Sequence, residues 1–309
     1  MSSSNELTRR VLFGVIAAPI AIAILIYGGA PLAALLAITS ALGAWEFFRI
    51  ARASGHNPMD DVGIVIAGLI PLLVHARYLR LYHDDAAVGP LSLAAIVILL
   101  LLALAIWMRG VEGKPLGAAA TTAFGAAYTG GMLSFGYAIR YHEYAFAPTA
   151  LSIGWGRFSA PMQAGGILLL LPVFLTWASD IGAYAVGRTM GRHKLIPSVS
   201  PGKTVEGAIG GLLASMLIAW LYTRSVLHPV THLDFRYPPI GVLAFGALVS
   251  VAAQVGDLAE SLLKREAGVK DSSHIIPGHG GILDRFDSLF FVLPIAYVVL
   301  GAMLTWAPT

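Results

Sequence analysis

The chain has 309 residues, of which 57% are hydrophobic and 12% are charged, and its mean hydropathy is +0.76. Soluble domains carry about 25% charged residues, so this composition excludes an ordinary soluble domain and predicts a membrane protein with several spans. The net charge of +3 is small, and we expect no nucleic-acid partner. Cysteine is absent, which excludes disulfide bonds, thiol nucleophiles and thiolate metal sites.

Nine apolar runs are long enough to cross a bilayer, which takes roughly 17–25 mostly apolar residues. Thr8, Arg9 and Arg10 precede the first run, but no small-residue cleavage site follows it, so we interpret it as a span rather than a signal peptide. The sequence therefore predicts an all-α, polytopic integral membrane protein with about nine transmembrane helices. The runs are 11–28, 31–48, 62–79, 91–108, 117–138, 166–187, 205–223, 239–258 and 288–306.

The distribution of Lys and Arg predicts the orientation, because cytoplasmic loops are enriched in these residues. With the N-terminus in the cytoplasm, fourteen of the twenty lie on the cytoplasmic side and six on the other side. This distribution favours an N-in, C-out topology. It also places the loops 188–204 and 259–287 on the same cytoplasmic face, where they can share a site.

The polar side chains are distributed unevenly along the chain, although no repeat or low-complexity tract is evident. Residues 1–165 have few polar side chains within their spans, whereas residues 166–309 carry every polar cluster described below. We interpret 1–309 as one membrane domain. Its first half is predicted to be a scaffold of spans, and its second half to carry the catalytic spans and cytoplasmic motif loops.

The sixth run contains an intramembrane carboxylate. Ser179 and Asp180 interrupt the apolar residues, and Tyr184 follows one helical turn later. A carboxylate within a membrane is costly and usually functional, although a satisfied structural hydrogen bond would also explain it. Asp180 and Tyr184 are therefore candidate substrate-binding residues.

A polar segment, S-V-S-P-G-K-T-V-E-G, occupies residues 198–207 ahead of the seventh run. Gly202-Lys203-Thr204 looks like the end of a P-loop, but that motif needs a glycine at 197, which is proline, and a preceding strand, which we do not expect here. Lys203 and the nearby hydroxyls at the start of a helix are instead predicted to bind phosphate. The alternative is a loop whose positive charge only sets the topology.

The eighth run ends in a polar stripe that consists of Asp257, Ser261, Lys264 and Arg265. Their spacing of i, i+4, i+7 and i+8 places all four on one face of a helix. Snorkelling at a helix end would explain the two cations. It would not explain Asp257, because a carboxylate after an apolar span usually has a partner or a metal.

A glycine-rich turn, P-G-H-G-G, occupies 277–281, and Asp284-Arg285-Phe286-Asp287 follows it. The glycines allow close approach of a ligand to backbone N–H groups. Asp284 and Asp287 share a face at the start of the last helix, and such a pair suits Mg²⁺, which takes a few carboxylates plus substrate phosphates. Helix capping is the alternative, and it explains one aspartate better than two. For His279, a ligand, a phosphate donor and a turn residue all remain open.

The segment from Ser261 to Asp287 resembles the signature of the phosphatidate cytidylyltransferases (CDP-diacylglycerol synthases). That signature is S-x-x-K-R-x4-K-D-x-small-x-x-apolar-P-x-H-G-G-apolar-x-D-R-apolar-D, and every fixed position is met. The upstream elements S-D-x-x-A-Y and S-P-x-K-T-x-E-G also match, at 179–184 and 200–207. The likeness covers about the C-terminal 130 residues, whereas the N-terminal half matches only in being apolar and multi-spanning.

The resemblance implies a bacterial-type enzyme of the cytoplasmic (inner) membrane that condenses CTP with phosphatidic acid to give CDP-diacylglycerol and pyrophosphate. It also implies a homodimer with an aspartate-bound Mg²⁺, in some members with a monovalent cation such as K⁺ beside it. We expect the active site at the cytoplasmic interface, where CTP arrives from water and the lipid from the leaflet.

The site residues expected from these patterns fall into three groups. Asp257, Asp284 and Asp287 are expected to hold Mg²⁺ and, together with Lys264 and Arg285, to be catalytic. The candidate substrate-binding residues are Asp180, Tyr184, Ser200, Lys203, Thr204, Ser261, Arg265, Lys270, His279, Gly280 and Gly281.

Two other functions compete with this interpretation. A CTP-dependent lipid kinase would transfer the γ-phosphoryl group to a lipid alcohol and would need a base such as His279. An ion-coupled transporter would use Asp180 and Asp257 as coupling sites. Transporters often have repeated halves, however, and here no repeat is evident and the charges cluster at one face.

Overall fold

The computed structural model describes residues 3–79, 89–146, 152–155, 158–161, 164–276 and 280–306. Helices account for most of these residues, and the strands are short. The α-helices are α1 (Ser3–Tyr27), α2 (Gly29–Ala53), α3 (Asp60–Tyr78), α4 (Pro90–Met108), α5 (Pro115–Ala126), α6 (Met132–Arg140), α7 (Ala164–Met190), α8 (Val205–Tyr222), α9 (His228–Thr231), α10 (Ile240–Glu266) and α11 (Leu283–Met303).

Each of the nine predicted apolar runs overlaps a helical segment. The fifth overlaps α5 and α6, which a π-helical turn at Ala127–Gly131 joins into one rod. Among the described residues, six helices are long and apolar enough to cross a membrane. These six helices confirm an all-α polytopic membrane protein, while the number nine and the orientation stay predictions. The six are Gly29–Ala53, Asp60–Tyr78, Ala164–Met190, Val205–Thr231, Ile240–Glu266 and Leu283–Met303.

The described part of the chain contains three antiparallel strand pairs in addition to the helices. They are β1 (Ser152–Trp155) with β2 (Phe158–Pro161), β3 (Lys194–Ile196) with β4 (Ser200–Thr204), and β5 (Leu233–Phe235) with β6 (Leu304–Trp306). In the second pair Lys194 lies opposite Thr204. The expectation that no strand precedes residue 205 was therefore wrong, because the polar segment folds back on itself as a hairpin. The P-loop remains excluded by Pro197.

The chain forms two compact units, each assembled from separated segments. Unit 1 comprises Met1–Gly14, Gly29–Tyr137 and Glu260–Phe286, and unit 2 comprises Val15–Gly28, Ala138–Ala259 and Asp287–Thr309. This grouping reflects packing, and the functional division expected near residue 165 is a separate prediction.

The core of unit 1 is built where α2, α3 and α5 meet. Phe48 of α2 is fully buried, and a β-carbon on Gly63 of α3 would overlap its ring. The Ser40 hydroxyl of α2 donates to the backbone oxygen of Thr129, 3.3 Å away, in the π-helical turn. Close approach through small residues is how helices associate in a bilayer, where apolar burial gives no driving force. α2 is therefore held firmly in this unit.

The core of unit 2 includes a buried arginine that ends α1. Arg140 is 1% exposed, and its guanidinium donates to the backbone oxygens of Leu25, Ile26 and Tyr27. The last carbonyls of a helix have no intrahelical partner and carry the negative end of the dipole. Gly28 turns the chain at φ +74° directly afterwards. Arg140 therefore stabilises the end of α1.

Candidate active site

The helix pair α7 and α8 forms the most extensive contact among the described elements of unit 2. Glycines make this contact possible, because a β-carbon on Gly211 would lie 2.7 Å from the backbone oxygen of Ser179. On Gly207 it would lie 2.8 Å from the oxygen of Ala183. The two backbones therefore touch along the stretch of α7 that carries Asp180.

The β3–β4 hairpin ends directly in α8 and fixes the position of Lys203. Thr204 is the N-cap of α8, and its hydroxyl accepts the amide hydrogen of Gly207 at 3.1 Å. Glu206 accepts hydrogen bonds from the backbone N–H groups of Arg192 and His193. The Thr204 cap satisfies a free amide of the first turn of α8, and the Glu206 bonds hold the backbone that follows α7. Thr204, predicted to bind substrate, thus has a structural hydrogen bond as well.

Three predicted carboxylates of unit 2 form one electrostatic group with Lys203. The Lys203 ammonium lies 2.7 Å from Oδ2 of Asp257. The charges acting on Asp180 come from Asp257 and Lys203, and those acting on Asp287 come from Asp257 and Asp180. Three carboxylates against one ammonium leave two negative charges uncompensated within this group when all are ionised. We refer to these four residues as the acidic cluster.

Packing and buried hydrogen bonds hold the helices that carry the acidic cluster. A β-carbon on Gly256 of α10 would lie 2.7 Å from the backbone oxygen of Asp287, so α10 and α11 touch at the level of Asp257. The hydroxyls of Ser179 and Ser250 are 2.8 Å apart. Gln254 donates to Ser250 at 3.0 Å and to a backbone oxygen of α8 at 3.1 Å. These contacts link α7, α8 and α10, and they position the carboxylates with little freedom.

The acidic cluster suits a hydrated divalent cation better than a closed protein cage. Within the described residues, no three Asp, Glu, His or Cys side chains converge closely enough to enclose a metal by themselves. Mg²⁺ binds through one or two carboxylates and completes its shell with water and substrate phosphates. The carboxylates of the acidic cluster supply oxygen ligands of the kind that such an ion takes. Asp257 and Asp287 therefore fit Mg²⁺ in their chemistry.

Unit 1 contains a second charged group, centred on Lys264 near the end of α10. Its ammonium lies 2.5 Å from Oε2 of Glu260, one turn back, and 2.6 Å from Oδ1 of Asp284 at the start of α11. The side chains of the three residues are 12%, 0% and 8% exposed. Burial excludes water, so this triad is electrostatically stronger than a surface pair. Lys264 therefore ties the end of α10 to the start of α11.

The second oxygen of Asp284 organises the glycine-rich signature. Oδ2 accepts hydrogen bonds from the amide of Gly281 at 2.8 Å and from the amide and hydroxyl of Ser272 at 3.0 and 2.8 Å. Gly280 adopts φ +80°, a conformation that favours glycine. Both oxygens of Asp284 are thus occupied by protein donors. Service as a metal ligand, which stays a prediction, would require a change in these contacts.

The chain resembles known enzymes over nearly its full length. The model of the cytidylyltransferase family matches residues 8–303. The chain belongs to this family. It is 34% identical over 301 residues to a phosphatidate cytidylyltransferase of Synechocystis sp., covering 94% of this chain and 95% of the relative. For the Bacillus subtilis protein of the same name the identity is 29% over 296 residues, covering 96% and 98%. The family suggested by the signature is therefore confirmed.

A further relative concentrates its likeness in part of the chain. The phosphatidate cytidylyltransferase of Staphylococcus haemolyticus is 44% identical over 153 residues, which cover 50% of this chain and 56% of that protein. This match is shorter and closer than the two full-length ones. The similarity of this chain to its relatives is therefore not spread evenly along the sequence.

The remaining predicted residues of this cytidylyltransferase lie in varied surroundings. Tyr184 is 65% exposed, and its hydroxyl accepts a hydrogen bond from Arg188 at 2.6 Å. Arg265 donates to the backbone oxygen of Val269 at 3.2 Å. Ser261 is buried, Arg285 is exposed, and Ser200 begins β4. His279 lies outside the described residues.

Lys270, predicted to bind substrate, lines a cavity of about 630 Å³ in unit 1. Arg49 of α2 lines the same cavity and stacks over the ring of Trp45, with its guanidinium carbon 4.7 Å from the ring centroid. Asp271, Ser272, Ser273 and His274 are further polar residues of the lining. The cavity brings two cations together and is suited to an anionic group.

Glu46 is a buried acidic residue that the sequence interpretation missed. It lies in α2, in the half of the chain predicted to be a scaffold, and it is 0% exposed. Its carboxylate contacts the signature segment of unit 1. A signal was present in the sequence, because a carboxylate between Trp45 and Phe47 in an apolar run is as costly as Asp180 or Asp257.

Proposed function

We propose that this protein is a phosphatidate cytidylyltransferase, which condenses CTP with phosphatidic acid into CDP-diacylglycerol and pyrophosphate for phospholipid biosynthesis. The observation that carries the proposal is the full-length similarity to enzymes of that name, with a family match over 8–303. The signature that holds Lys264, Asp284 and Gly281 together in unit 1 supports it.

The reaction needs positioning and charge neutralisation more than a base. A phosphomonoester has a second pKa of ~6, so the lipid phosphate is already an anionic nucleophile near neutral pH. One of its oxygens forms a bond to the α-phosphorus of CTP, and the bond from that phosphorus to the bridging oxygen breaks as pyrophosphate leaves. Two polyanions must therefore be held in line, which is a task for fixed cations.

The lysines and arginines divide this task. Lys203, 25% exposed beside Asp257, exchanges its carboxylate partner for a substrate phosphate. Lys270 and Arg49 hold an anionic group in the unit 1 cavity. Arg285 is exposed at the start of α11 and adds positive charge. Lys264, clamped between Glu260 and Asp284, keeps the signature in place while its partners remain charged.

Mg²⁺ is the proposed cofactor, held by Asp257 and Asp287, with Asp284 as the further predicted ligand and K⁺ as a predicted companion ion. When bound, the ion neutralises phosphate charge and stabilises the charge that develops on the leaving pyrophosphate. Asp180 influences both ligands through its charge and belongs to the surroundings of the ion rather than to its direct ligands.

The membrane arrangement belongs to the proposal as well. The excess of Lys and Arg in the loops 188–204 and 259–287 supports nine spans, an N-in, C-out orientation and an active site on the cytoplasmic side of the bacterial inner membrane. A homodimer is expected by analogy with the family. Cross-linking of the purified protein in detergent, which should yield a dimer band and no larger species, tests that expectation.

The reaction is tested with purified protein, phosphatidic acid, Mg²⁺ and CTP labelled at either the α- or the γ-phosphate. We expect the α-label in the lipid product and the γ-label in pyrophosphate. Label from the γ-position in the lipid would establish a CTP-dependent lipid kinase instead. Release of inorganic phosphate that does not depend on lipid would contradict both activities.

A further inference from the structure

We propose that Glu46 is a positioning residue for cytidylyl transfer: its carboxylate fixes two parts of the signature, Ser272–Ser273 and Ile282–Leu283, and thereby the start of the helix that carries Asp284 and Arg285. The inference rests on the proposed function for the identity of the reaction. It assigns a catalytic contribution to α2, in the half of the chain whose sequence suggests only a scaffold.

Four donors converge on the Glu46 carboxylate, and all four belong to the signature segment. The Ser273 hydroxyl donates to Oε1 at 2.5 Å and the Ser272 hydroxyl to Oε2 at 2.9 Å. The backbone amides of Ile282 and Leu283 donate to Oε1 and Oε2 at 3.0 and 2.6 Å. A buried carboxylate is tolerable only when hydrogen bonds of this kind replace its hydration. The Glu46 side chain therefore binds Ser272–Ser273 and Ile282–Leu283 at the same time.

The two backbone donors make Glu46 the cap of α11. Helix α11 begins at Leu283, and the amides of Arg285 and Phe286 already bond to the oxygen of Ile282. The amides of Ile282 and Leu283 lie at the helix entrance, where free N–H groups and the positive end of the dipole favour an anion. Glu46 supplies that anion from a distant helix. A shift of its carboxylate would move the first turn of α11.

Glu46 is also linked to Asp284 through one hydroxyl. The Ser272 oxygen lies 2.9 Å from Oε2 of Glu46 and 2.8 Å from Oδ2 of Asp284. A hydroxyl has one proton and can donate to only one of the two carboxylates at a time. Direct contacts therefore connect Glu46 to the orientation of the Asp284 carboxylate. Lys264 donates a hydrogen bond to this same carboxylate.

The fit around Glu46 leaves no spare volume. A β-carbon on Gly281 would overlap the Ser272 hydroxyl and the Glu46 carboxylate. The backbone of the signature therefore packs directly on this carboxylate. Because Glu46 is 0% exposed, it acts through the segment and not by touching a substrate.

The decisive experiment compares the variants Glu46→Gln, Ser272→Ala and their combination with wild type and with Glu112→Gln. The amide keeps the length of Glu46 but turns two of four acceptor directions into donors. We expect kcat to fall about tenfold to a hundredfold in Glu46→Gln, since a misplacement of about 1 Å can cost that much. The KM for CTP should change by less than about threefold, because the substrate contacts remain. Glu112 is exposed, and Glu112→Gln should match wild type.

The double variant tests whether the two residues act along one path. If Glu46 works through Ser272, the combination should lose no more than about twofold beyond Glu46→Gln, because coupled neighbours are non-additive. Multiplying losses would show that Glu46 does not act through Ser272 and would overturn the proposed link. Near-normal kcat in Glu46→Gln would overturn the positioning role itself.

A second readout does not require an active or even a mutated enzyme. In wild-type protein, hydrogen–deuterium exchange should find the Ile282 and Leu283 amides strongly protected, because Glu46 buries and bonds them. Rapid exchange there would overturn the proposal even if Glu46→Gln could not be purified. Inert wild-type protein with protected amides would instead count against the proposed reaction and leave the Glu46 contacts intact.

Discussion

Lys264 offers the sharpest test of how the signature is held together. Its ammonium is shared by Glu260 and Asp284, and the three side chains are at most 12% exposed. Lys264→Met keeps most of the volume and removes the charge. Breaking a buried ion pair by deleting one partner costs about 3–5 kcal/mol, because the remaining charge is buried without compensation. Asp284 keeps its donors Ser272 and Gly281, whereas Glu260 loses the ammonium one helical turn away, so we expect the larger part of the cost at Glu260.

The loss should be visible as thermal destabilisation in detergent, followed by tryptophan fluorescence. For a chain of this size, one kcal/mol corresponds to about 2 °C in Tm, so we expect a decrease of about 6–10 °C. The variant Lys264→Met/Glu260→Gln also removes the carboxylate charge that lost the Lys264 ammonium and should recover most of that decrease. Lys114→Met, at an exposed position, should change Tm by no more than about 1 °C.

Activity separates the structural role of Lys264 from its chemical role. We expect the rate of cytidylyl transfer to fall below about a hundredth of the wild-type rate in both Lys264→Met and the double variant, because loss of the Lys264–Asp284 ion pair displaces Asp284. A Tm for Lys264→Met within about 2 °C of wild type, which corresponds to about one kcal/mol, would refute the buried triad. Failure of Glu260→Gln to restore stability would refute the assignment of the cost to Glu260.

Three further predictions address the metal, the topology and the glycine turn. Removal of Mg²⁺ by a chelator should abolish turnover. Asp→Asn variants at the predicted ligand positions 257, 284 and 287 should each lower turnover at least roughly a hundredfold, whereas the control Asp234→Asn should be nearly silent. Mg²⁺-dependent activity that survives these changes would place the metal elsewhere. Single cysteines at the exposed residues Ser198 and His274 should react with impermeant thiol reagents from the cytoplasmic side, and a cysteine at Tyr237 should react from the other side. Labelling of positions 198 and 274 from different faces would contradict the topology. Gly281→Ala should destabilise and inactivate the protein, because a β-carbon has no room there. At Gly117 nothing lies within 4 Å of such a β-carbon, so Gly117→Ala should be neutral or stabilising. Equal Tm values for the two variants would contradict the packing around Glu46.

The sequence predicted the helices well because membrane spans are encoded by long apolar runs, which depend little on tertiary structure. It also predicted that Asp257 and Lys264 share one helix, and α10 continues to Glu266 without a break. It could not predict the β3–β4 hairpin, because three polar residues together with a proline and a glycine look like a loop.

The candidate site was predictable in its chemistry more than in its partners. Motif spacing selected Lys203 and Asp257 separately, and only the fold brings them to 2.7 Å. Asp284 was expected to face a metal, which stays a prediction, and the sequence did not indicate that its oxygens accept hydrogen bonds from Lys264, Ser272 and Gly281. Glu46 was missed because it is 226 positions from Ser272 in the chain, and such separation leaves no local pattern.

The glycine contact between α7 and α8 has a consequence for protein engineering. Gly210 lies against Val186, and Gly211 lies against the backbone of Ser179, so neither position accepts even a methyl group without displacement. Alanine at both positions would leave hydropathy, charge and predicted topology nearly unchanged. Such a chain would insert as a membrane protein, yet its helices would stand farther apart and Asp180 would shift away from Lys203. Designs that replace glycines to raise helix propensity, for better expression or thermal stability, should therefore leave Gly210 and Gly211 unchanged.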